Sequence, residues 1–316
     1  MRVAVTGASG FVGGRVARTL AAQGHDVAAY GRRPASALAT RTPNYRQWDL
    51  DADADVALDV DAVVHCAALV GDWGREADYQ RANVDGTERV MRAVPSGVRM
   101  VVVSSSSVYS GSTAKSWLRE DAPIGDCLSA YGRTKARAEQ RVAALRPNAI
   151  ILRPHIVYGP GDTTLLPGIR SSIHAGQLVV PGTGRNQLSV THVDNLVLAV
   201  ERALGAPANV RGAFNISDAF PAIVDHLLRT ILSRAGIVAT PRYVPRRVAW
   251  AAASLLERAW PSRRPPRGPP LTRYLVSHLA DEHTLDITRA REVLGYAPEG
   301  SYREMTLEEE GEKVRR

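Results

Sequence analysis

Short apolar runs alternate with amphipathic stretches through the first half of the chain. The apolar runs are rich in β-branched residues and predict strands, while the stretches between them predict helices. The strands are predicted at residues 2–6, 26–30, 62–66, 100–104 and 149–152, with a further candidate at 45–48, and the helices at residues 13–23, 79–93 and 130–145. Uninterrupted apolar strands separated by helices are typical of a parallel sheet covered on both faces. Gly24 and Gly97 are placed to end helices in the left-handed conformation.

The second half of the chain differs from the first in its residue composition. Prolines and glycines become frequent after about residue 153 and indicate a loop-rich region. Residues 242–270 are rich in Pro and Arg, and their core, 262–270, is predicted to be a flap on the surface. One helical stripe in this segment is apolar, which predicts a helix packed on a second core; the alternative is a helix lying on a membrane surface. The stripe consists of Val248, Ala252, Leu255, Leu256 and Ala259.

Composition narrows the class of protein. Apolar residues make up 45% and charged residues 23% of the 316 positions, as in ordinary globular proteins. The net charge of +8 is spread along the chain without a basic-aromatic module, so no nucleic-acid partner is expected and the positive field suits an anionic cofactor or substrate. Two cysteines, Cys66 and Cys127, and an opening strand with no room for a signal peptide predict a cytoplasmic protein. No apolar stretch is long enough for stable membrane insertion.

A glycine-rich turn joins the first strand to the first helix. Its spacing is Gly-x-x-Gly-x-x-Gly at Gly7, Gly10 and Gly13. Such glycines allow a tight turn and a close approach to a pyrophosphate, which the free N–H groups at the start of the helix would bind. The position of the turn after a strand, before a helix and at the N-terminus predicts a Rossmann-type doubly wound α/β fold. The residues predicted to hold the dinucleotide here are Gly7, Ser9, Gly10, Phe11, Val12 and Gly13.

The end of the second strand bears on the choice of nicotinamide cofactor. An NAD site places an acidic residue there to hold the ribose 2′-hydroxyl. Here Gly31 occupies that position and Arg32 and Arg33 follow, and guanidinium groups pair well with a phosphate. The sequence therefore predicts NADP(H) rather than NAD(H); the alternative is that the two arginines only begin a solvated loop. Asp49, beside Leu50, is predicted to accept a hydrogen bond from the adenine.

Tyr131 and Lys135 form the strongest chemical signal in the chain. They lie one helical turn apart and face the same way. An ammonium group and an oxidised nicotinamide both favour the phenolate, which predicts a lowered pKa for Tyr131 and a proton donor for a carbonyl–alcohol interconversion. Ser105 and Ser107 follow a predicted strand and should point in one direction, so that a hydroxyl there can polarise the substrate oxygen.

Other chemistries lack their motifs. The sequence has no His-Glu-x-x-His zinc motif, no nucleophile elbow and no Walker A lysine, so no metal site is expected. His192 and Asp194 are interpreted as structural or rim residues.

These motifs together resemble the extended short-chain dehydrogenase/reductase family, which includes the NAD-dependent epimerases and dehydratases. The resemblance covers nearly the whole chain and rests on the glycine turn, Tyr131-x-x-x-Lys135 and the motifs at residues 65–68, 83–87, 104–109, 152–161, 192–195 and 214–218. It implies that Ser105, Tyr131 and Lys135 are catalytic. It also implies a homodimer formed through a helix pair that includes the tyrosine helix. The residues that it places against the cofactor are Ala67, Ala68, Asn83, Tyr131, Lys135, Pro154, His155 and Val157.

Within this family, residues 65–74, 270–273 and 286–298 are similar to the 3β-hydroxysteroid dehydrogenase branch and its bacterial ketoreductase relatives. That similarity implies a ketoreductase acting on a lipophilic, steroid-like or secondary-metabolite ketone. The alternatives are a sugar-nucleotide epimerase or 4-ketoreductase and a non-catalytic NADP-binding sensor. Ser107, Trp73 and Arg185 are the candidate substrate contacts. Residues 1–160 are predicted to form the dinucleotide-binding domain, with 186–218 returning to it, and residues 161–185 and 219–316 the substrate-binding cap.

Overall fold

A seven-stranded parallel sheet dominates the computed structural model of the chain, which describes residues 1–38, 42–51, 56–111, 115–260, 268–300 and 302. Its strand order is β12-β6-β5-β4-β1-β2-β3, with every neighbouring pair parallel. The described strands are β1 (Arg2–Thr6), β2 (Asp26–Gly31), β3 (Tyr45–Gln47), β4 (Ala62–His65), β5 (Arg99–Val103), β6 (Ile150–Pro154), β7 (Val157–Tyr158), β8 (Ile173–His174), β9 (Gln177–Pro181), β10 (Gln187–Leu188), β11 (Thr191–His192), β12 (Gly212–Ile216), β13 (Ala222–Ile223) and β14 (Thr240–Val244).

Helices cover both faces of this sheet, as the apolar strands predict. The described α-helices are α1 (Phe11–Ala22), α2 (Glu76–Tyr79), α3 (Gly86–Ala93), α4 (Ala130–Leu145), α5 (Leu165–Ser171), α6 (Val193–Leu204), α7 (Val224–Arg234), α8 (Arg246–Ala259), α9 (Arg273–Ala280) and α10 (Thr288–Leu294). Alternate residues of β1 and β4 enter different cores: Val5 and Val64 lie in one, Ala4 and Val63 in the other. The predicted Rossmann-type α/β fold is confirmed.

The strand order reverses at β1, which places a crevice at the carboxyl ends of β1 and β4. The chain runs outward from β1 to β2 and β3, and then crosses back to β4. Thr6 and His65 are paired at this edge. In open parallel sheets, ligands bind at such a switch point. The fold therefore brings the glycine turn to the expected place for a dinucleotide.

Two local predictions differ from the structure. The helix predicted over 79–93 consists of α2, a π-helical turn at Gln80–Asp85 and α3. Gly24 adopts the left-handed conformation at φ +86°, as predicted, but Gly97 does not, because α3 already ends at Ala93.

A third core lies in the second half of the chain, under small sheets formed by β14-β9-β8, β10-β13 and β11-β7. Leu178, Leu188 and Val224 are among its buried residues. Strand β12, which belongs to the segment 186–218, joins the large sheet beside β6. The exact division of the chain into two domains stays a prediction.

The predicted packing of the apolar stripe on α8 is wrong. Val248 is 58% exposed and Leu255 is 66% exposed, whereas Ala249 and Ala253 are buried against Val276 of α9. The small alanine side chains allow the two helices to approach closely, so the larger residues are left on the outer face. No helix among the described residues is long and apolar enough to cross a membrane. Residues 262–267 of the predicted flap core lie outside the described part of the chain.

Candidate active site

The glycine turn after β1 is built so tightly that side chains are excluded. Gly7 has φ +74°, and a Cβ there would lie 2.6 Å from the backbone nitrogen of Ala67; a Cβ on Gly13 would lie 2.4 Å from the carbonyl oxygen of Gly7. Gly10 is the N-cap of α1 and provides no side-chain cap, so Phe11, Val12 and Gly13 open the helix with free N–H groups. Such a turn fits the pyrophosphate of a dinucleotide, because the backbone donors and the positive end of the helix dipole face the same point.

The position of Gly31 is closed to any side chain. A Cβ there would lie 2.6 Å from Ser9 Oγ and 2.7 Å from the Tyr45 hydroxyl. The next residues lie beside the glycine turn: Arg33 Nη2 donates to the carbonyl of Ser9 at 2.6 Å, and the carbonyl of Arg32 accepts from Gln47 at 3.1 Å. Both arginines are exposed. An acidic side chain at position 31 would have to displace Ser9 and Tyr45, while two guanidinium groups lie next to that position.

The other predicted adenine-side residues follow β3. Asp49 Oδ1 accepts from the backbone of Asp51 at 3.0 Å. Leu50 is half-buried and packs next to Gly86 at the start of α3. No described contact distinguishes an adenine-binding role for Asp49, and that role stays a prediction.

The side chain of Asn83 connects the loop after β4 to helix α4 by hydrogen bonds. Its Oδ1 accepts from the backbone nitrogen of Leu69 at 2.7 Å, and its Nδ2 donates to the carbonyl of Leu69 at 3.1 Å and to Thr134 Oγ1 at 3.2 Å. The amide thereby ties the loop that carries Ala67 and Ala68 to the tyrosine helix α4. The side chain of Asn83 thus bonds to Leu69 and Thr134. Its contact with the nicotinamide stays a prediction.

The two predicted serines do face each other. Ser105 Oγ lies 3.0 Å from Ser107 Oγ and accepts the backbone N–H of Ser107 at 3.1 Å. The reason differs from the predicted one, because strand β5 ends at Val103 and Ser105 caps a 3₁₀ turn at Ser106–Val108. The turn, rather than strand alternation, brings the hydroxyls together.

Helix α4 presents Tyr131 and Lys135 to these serines. Ser129 caps the helix by accepting the N–H of Gly132 at 3.1 Å. A Cβ on Gly132 would lie 2.4 Å from the carbonyl oxygen of Ser107, so the glycine permits the helix to approach the serine turn. Tyr131 and Lys135 are both buried, and Tyr131 lies close enough to Ser105 for that side chain to act on its pKa. The structure thus brings the three predicted catalytic residues together.

Burial is the main influence on the pKa values of Tyr131 and Lys135. Burial lowers the pKa of Lys135 to about 8, and Glu139 opposes that shift. Burial also raises the pKa of Tyr131, and the hydrogen bond with Ser105 opposes the rise. The predicted lowering of the Tyr131 pKa by Lys135 is therefore not found; the Lys135 ammonium instead donates to the carbonyl of Val103 at 2.7 Å.

A buried ion pair fixes α4 to the sheet, and the sequence motifs did not reveal it. Arg153 on β6 donates to Glu139 on α4 at 2.6 Å, and both side chains are about 5% exposed or less. Arg153 also donates to the hydroxyl of Tyr109, which donates to Asn215 on β12. The pair aligns the tyrosine helix with strands β6 and β12.

The last segments of the chain reach back to the serines. The Tyr274 hydroxyl on α9 lies 2.8 Å from Ser107 Oγ, and the Tyr274 ring packs on His278 with centroids 3.9 Å apart. Sequence reasoning missed these residues because 167 positions separate Ser107 from Tyr274. Pro154 ends β6 and Val157 begins β7, whereas the side chain of His155 turns to the carbonyl of Ser189 and stacks on His283.

The predicted substrate residues have different surroundings. Ser107 lies beside Ser105, with 3.0 Å between their hydroxyl oxygens. Trp73 lies against Gly268, where a Cβ would approach it to 2.5 Å. Arg185 is exposed on the loop between β9 and β10, without a described contact to the catalytic residues. Arg211, a second arginine that could pair with the pyrophosphate of a nucleotide sugar, precedes β12 and lies at the amino end of the sheet.

His192 and Asp194 are structural, as predicted. His192 is buried and accepts the backbone N–H of Asp194 as the N-cap of α6, while Asp194 pairs with Arg15 of α1 at 2.7 Å.

Comparison with known proteins agrees with this geometry. The family model described as "NAD dependent epimerase/dehydratase family" matches residues 3–217, and the chain belongs to that family of extended short-chain dehydrogenases/reductases. The chain is therefore an oxidoreductase for which a nicotinamide dinucleotide is the expected cofactor.

Two relatives and one solved structure illustrate the range of the family. A 2-alkyl-3-oxoalkanoate reductase of Stenotrophomonas maltophilia is 34% identical, with 96% of this chain and 97% of the relative covered. A 3 beta-hydroxysteroid dehydrogenase/Delta 5-->4-isomerase of Mycobacterium tuberculosis is 30% identical over 94% of this chain and 86% of the relative. The structure of MoeE5 in complex with UDP-glucose and NAD superposes with a TM-score of 0.73 and 28% identity, covering 96% of both chains.

Proposed function

We propose that this chain is an NADPH-dependent ketoreductase that converts a lipophilic ketone into a secondary alcohol. The observation that carries the proposal is the buried group in which Tyr131 lies close enough to Ser105 for that side chain to act on its pKa, while Lys135 lies one turn further along the same helix. Two hydroxyl groups that lie close together can hold one carbonyl oxygen. The relative named for 2-alkyl-3-oxoalkanoate reduction supplies the first substrate class to test.

Ser105, Tyr131 and Lys135 have separate roles in the proposed reaction. Ser105 and Tyr131 bind the carbonyl oxygen and polarise it, because a hydroxyl donor stabilises the charge that develops there. A nicotinamide held at the glycine turn would supply the hydride that reduces the carbonyl carbon. Tyr131 then gives its proton to the oxygen, and the phenolate is reprotonated from solvent. Lys135, whose pKa burial lowers to about 8, is still largely protonated at neutral pH, and its ammonium, held by the carbonyl of Val103, adds positive charge one helical turn from Tyr131.

The preference for NADPH is supported by the surroundings of Gly31. Ser9 and Tyr45 occupy the space that an acidic side chain would need, and Arg33 already lies against the carbonyl of Ser9. A 2′-phosphate beside Arg32 and Arg33 would gain charge-assisted hydrogen bonds, whereas a 2′-hydroxyl would not find a carboxylate acceptor at position 31.

A sugar-nucleotide enzyme is the second candidate. The similarity to MoeE5, which was solved with UDP-glucose, favours it. A nucleotide sugar needs cations for its pyrophosphate in the cap. Arg185 remains available for that role, but Arg211 lies at the wrong end of the sheet.

A substrate panel with NADPH separates the two candidates. The panel contains a 2-alkyl-3-oxo acid, a 3-oxosteroid and a 4-keto sugar nucleotide, each followed by NADPH oxidation and product mass, and UDP-glucose with NAD⁺, followed by chromatographic separation of its epimer. Reduction of a lipophilic ketone supports the proposal. Turnover of the nucleotide sugars alone overturns it in favour of the second candidate.

A further inference from the structure

Helix α8 turns an apolar face to the outside of the protein. Val248 is 58% exposed and Leu255 is 66% exposed, and they are seven positions, or about two helical turns, apart, so they lie on one line along the helix. The exposed alanines on either side of this line complete what we call the outer face of α8. These alanines are Ala251, Ala252 and Ala259. A continuous exposed apolar patch marks a surface that meets a partner.

Two arginines border the outer face. Arg247 and Arg258 are eleven positions, or about three helical turns, apart, so they form a second line beside that of Val248 and Leu255. Both arginines are exposed, and neither makes an ion pair within the part of the chain that the structure describes. The border therefore carries two positive charges that no described carboxylate balances.

The carboxylates beside α8 have other partners. Glu257, the one acid of the helix, pairs with Arg273 at 2.6 Å. Arg246 on the same helix pairs with Asp281 at 2.5 Å. Arginines on α4, by contrast, are balanced by acids of α2 and α3. The positive border of α8 is thus left for a partner outside this chain.

Most of the excess positive charge of the protein lies in the segment around α8. Residues 242–270 contain seven arginines and one acid, so they account for +6 of the formal net charge of +8. Outside this segment, basic and acidic residues are spread along the chain and nearly cancel. Three of the seven arginines, at positions 263, 264 and 267, directly follow α8 in the sequence. Positive charge beside an exposed apolar face suits a partner that offers both anionic groups and an apolar phase.

We propose that the outer face of α8 binds the surface of a membrane that contains anionic phospholipids. Val248 and Leu255 enter the boundary between the headgroups and the acyl chains, while Arg247 and Arg258 pair with lipid phosphates. A nucleic acid would satisfy the arginines, but it would leave the apolar side chains against a polar backbone. The helix has 14 residues, a length of about 21 Å, and lies in the plane of the bilayer without crossing it.

One helix connects the outer face to the proposed active site. Ala253 of α8 packs with Val276 of α9, and Tyr274 of α9 lies 2.8 Å from Ser107. Membrane binding through α8 therefore brings the cap, where a lipophilic substrate is proposed to bind, close to the lipid. The inference does not rest on the proposed function, because binding to a membrane requires no turnover.

Sedimentation of the full-length protein with lipid vesicles tests the inference. Vesicles of phosphatidylcholine alone are compared with vesicles of equal parts phosphatidylcholine and phosphatidylglycerol. We expect at least about tenfold tighter binding to the anionic vesicles, and a clear loss when salt is raised from about 0.1 M to about 0.5 M, since salt screens exposed charges. No binding to either kind of vesicle, or equal binding to both, overturns the inference.

A pair of charge variants separates the border arginines from net charge. Arg247→Gln/Arg258→Gln removes the border, whereas Arg202→Gln/Arg211→Gln removes two exposed arginines in the last turn of α6 and directly before β12. Each basic residue near an anionic surface is worth about fivefold in partitioning, so the first variant should bind the anionic vesicles about 25-fold more weakly. The control should stay within about threefold of the wild type. Equal weakening in both variants overturns the inference.

The apolar part of the face is tested with Val248→Ser/Leu255→Ser. Val179→Ser/Val238→Ser is the matched control, because those side chains are 60% and 95% exposed on another part of the surface. Thermal melting shows whether each variant is folded. The first variant should bind the anionic vesicles at least about tenfold more weakly, and the control should bind like the wild type. Equal binding of all three proteins overturns the inference.

Sedimentation velocity without lipid distinguishes the membrane from a second copy of the chain. A wild type that binds no vesicles, but forms a dimer that Val248→Ser/Leu255→Ser abolishes, overturns the inference and assigns the outer face to self-association. Vesicle binding with the expected losses supports the inference even if no ketone is reduced, an outcome that would refute only the proposed function.

Discussion

The hydroxyl of Tyr274 lies 2.8 Å from the hydroxyl of Ser107, although the two residues are 167 positions apart. This contact joins helix α9 to the turn that carries Ser105, the proposed catalytic serine. Burial raises the pKa of Tyr274, so the group stays a neutral hydroxyl at the edge of the site. Helix α9, from the C-terminal part of the chain, therefore lies directly beside the proposed catalytic residues.

Tyr131→Phe should remove nearly all turnover and leave NADPH affinity almost unchanged. The phenol acts in proton transfer, a step that is worth roughly 10²–10⁴ in rate. Lys135→Ala should damage both properties, because Lys135 is buried next to the predicted nicotinamide site and supports Tyr131. Steady-state kinetics and a fluorescence titration of NADPH check this. A Tyr131→Phe enzyme with more than about a tenth of the wild-type rate contradicts the assignment.

NADPH should bind more tightly than NADH. Loss of the charge-assisted pairing with a 2′-phosphate costs roughly 1.5–3 kcal/mol, or about ten- to a hundred-fold in affinity. The double variant Arg32→Ala/Arg33→Ala should lose this preference and keep its NADH affinity. Arg211→Ala is the matched control, since it removes an exposed arginine at the far end of the sheet. Equal affinities for the two cofactors in the wild type refute the prediction.

The fold should lose stability in mild acid. Burial lowers the folded-state pKa of His65 and of His155 from 6.5 to about 3. Above pH 6.5 both histidines are neutral in the folded and in the unfolded chain, so they do not make the free energy of unfolding depend on pH. As the pH falls from 6.5 towards 3, only the unfolded chain takes up the protons. The free energy of unfolding should therefore fall by about 1.4 kcal/mol per pH unit for each histidine.

Urea unfolding at pH 7.5, 6.5 and 5.5 measures this slope. His65→Gln is the test variant, because its amide can still hydrogen-bond with the threonines that hold His65, Thr6 and Thr87. Its slope below pH 6.5 should be shallower than that of the wild type by about one proton. If the free energy of unfolding has the same pH dependence in the wild type and in His65→Gln, His65 is not held neutral by burial.

The Arg153–Glu139 pair should be costly to break on one side only. Glu139→Gln leaves the guanidinium of Arg153 buried without its charge partner, for which we expect a loss of about 3–5 kcal/mol in the free energy of unfolding. The double variant Arg153→Met/Glu139→Leu should recover much of that loss, because it removes both buried charges. Urea denaturation of the three proteins decides the matter. A double variant that is no more stable than Glu139→Gln contradicts this description of the pair.

Residues 242–270 should affect substrate turnover as a lid. Gly268 lies against Trp73, and Thr272 donates to Asp72 at 2.8 Å, so this segment reaches the loop after β4. A deletion of residues 262–269 should keep NADPH binding and reduce kcat/KM by at least about tenfold, because lids affect turnover and apparent affinity together. Trp73→Ala is a milder variant that tests the same contact. Wild-type kinetics in the shortened enzyme show that the segment is no lid.

The sequence predicted what depends on local spacing. Spacing within a few positions was enough to identify the glycines of the turn and the pair Tyr131 and Lys135. One tight loop sets the geometry of the glycines, and one helical turn sets that of the pair. Helix α4 runs over the predicted residues 130–145. The fold class follows in the same way, since continuous apolar strands have to be covered on both faces.

Contacts between distant segments could not be predicted. Arg153–Glu139 and Tyr274–Ser107 depend on how strands and helices pack, which no spacing encodes. On α8, hydrophobicity predicted that Val248 and Leu255 would be buried, but the small residues Ala249 and Ala253 form the contact with α9. The pKa of Tyr131 was misjudged because burial depends on the whole surrounding fold.

Deuteride transfer from 4-deuterated NADPH tests the central claim most directly. A 2-alkyl-3-oxo acid is incubated with the wild type and with Tyr131→Phe, using each of the two C4-labelled forms of NADPH, and the products are analysed by mass spectrometry. The proposed function predicts that the wild type places one deuterium on the new carbinol carbon from one labelled form, and that Tyr131→Phe does so at least about a hundred-fold more slowly. No deuterium in the alcohol from this acid or from any other lipophilic ketone, together with turnover of a nucleotide sugar by the same preparation, would contradict it.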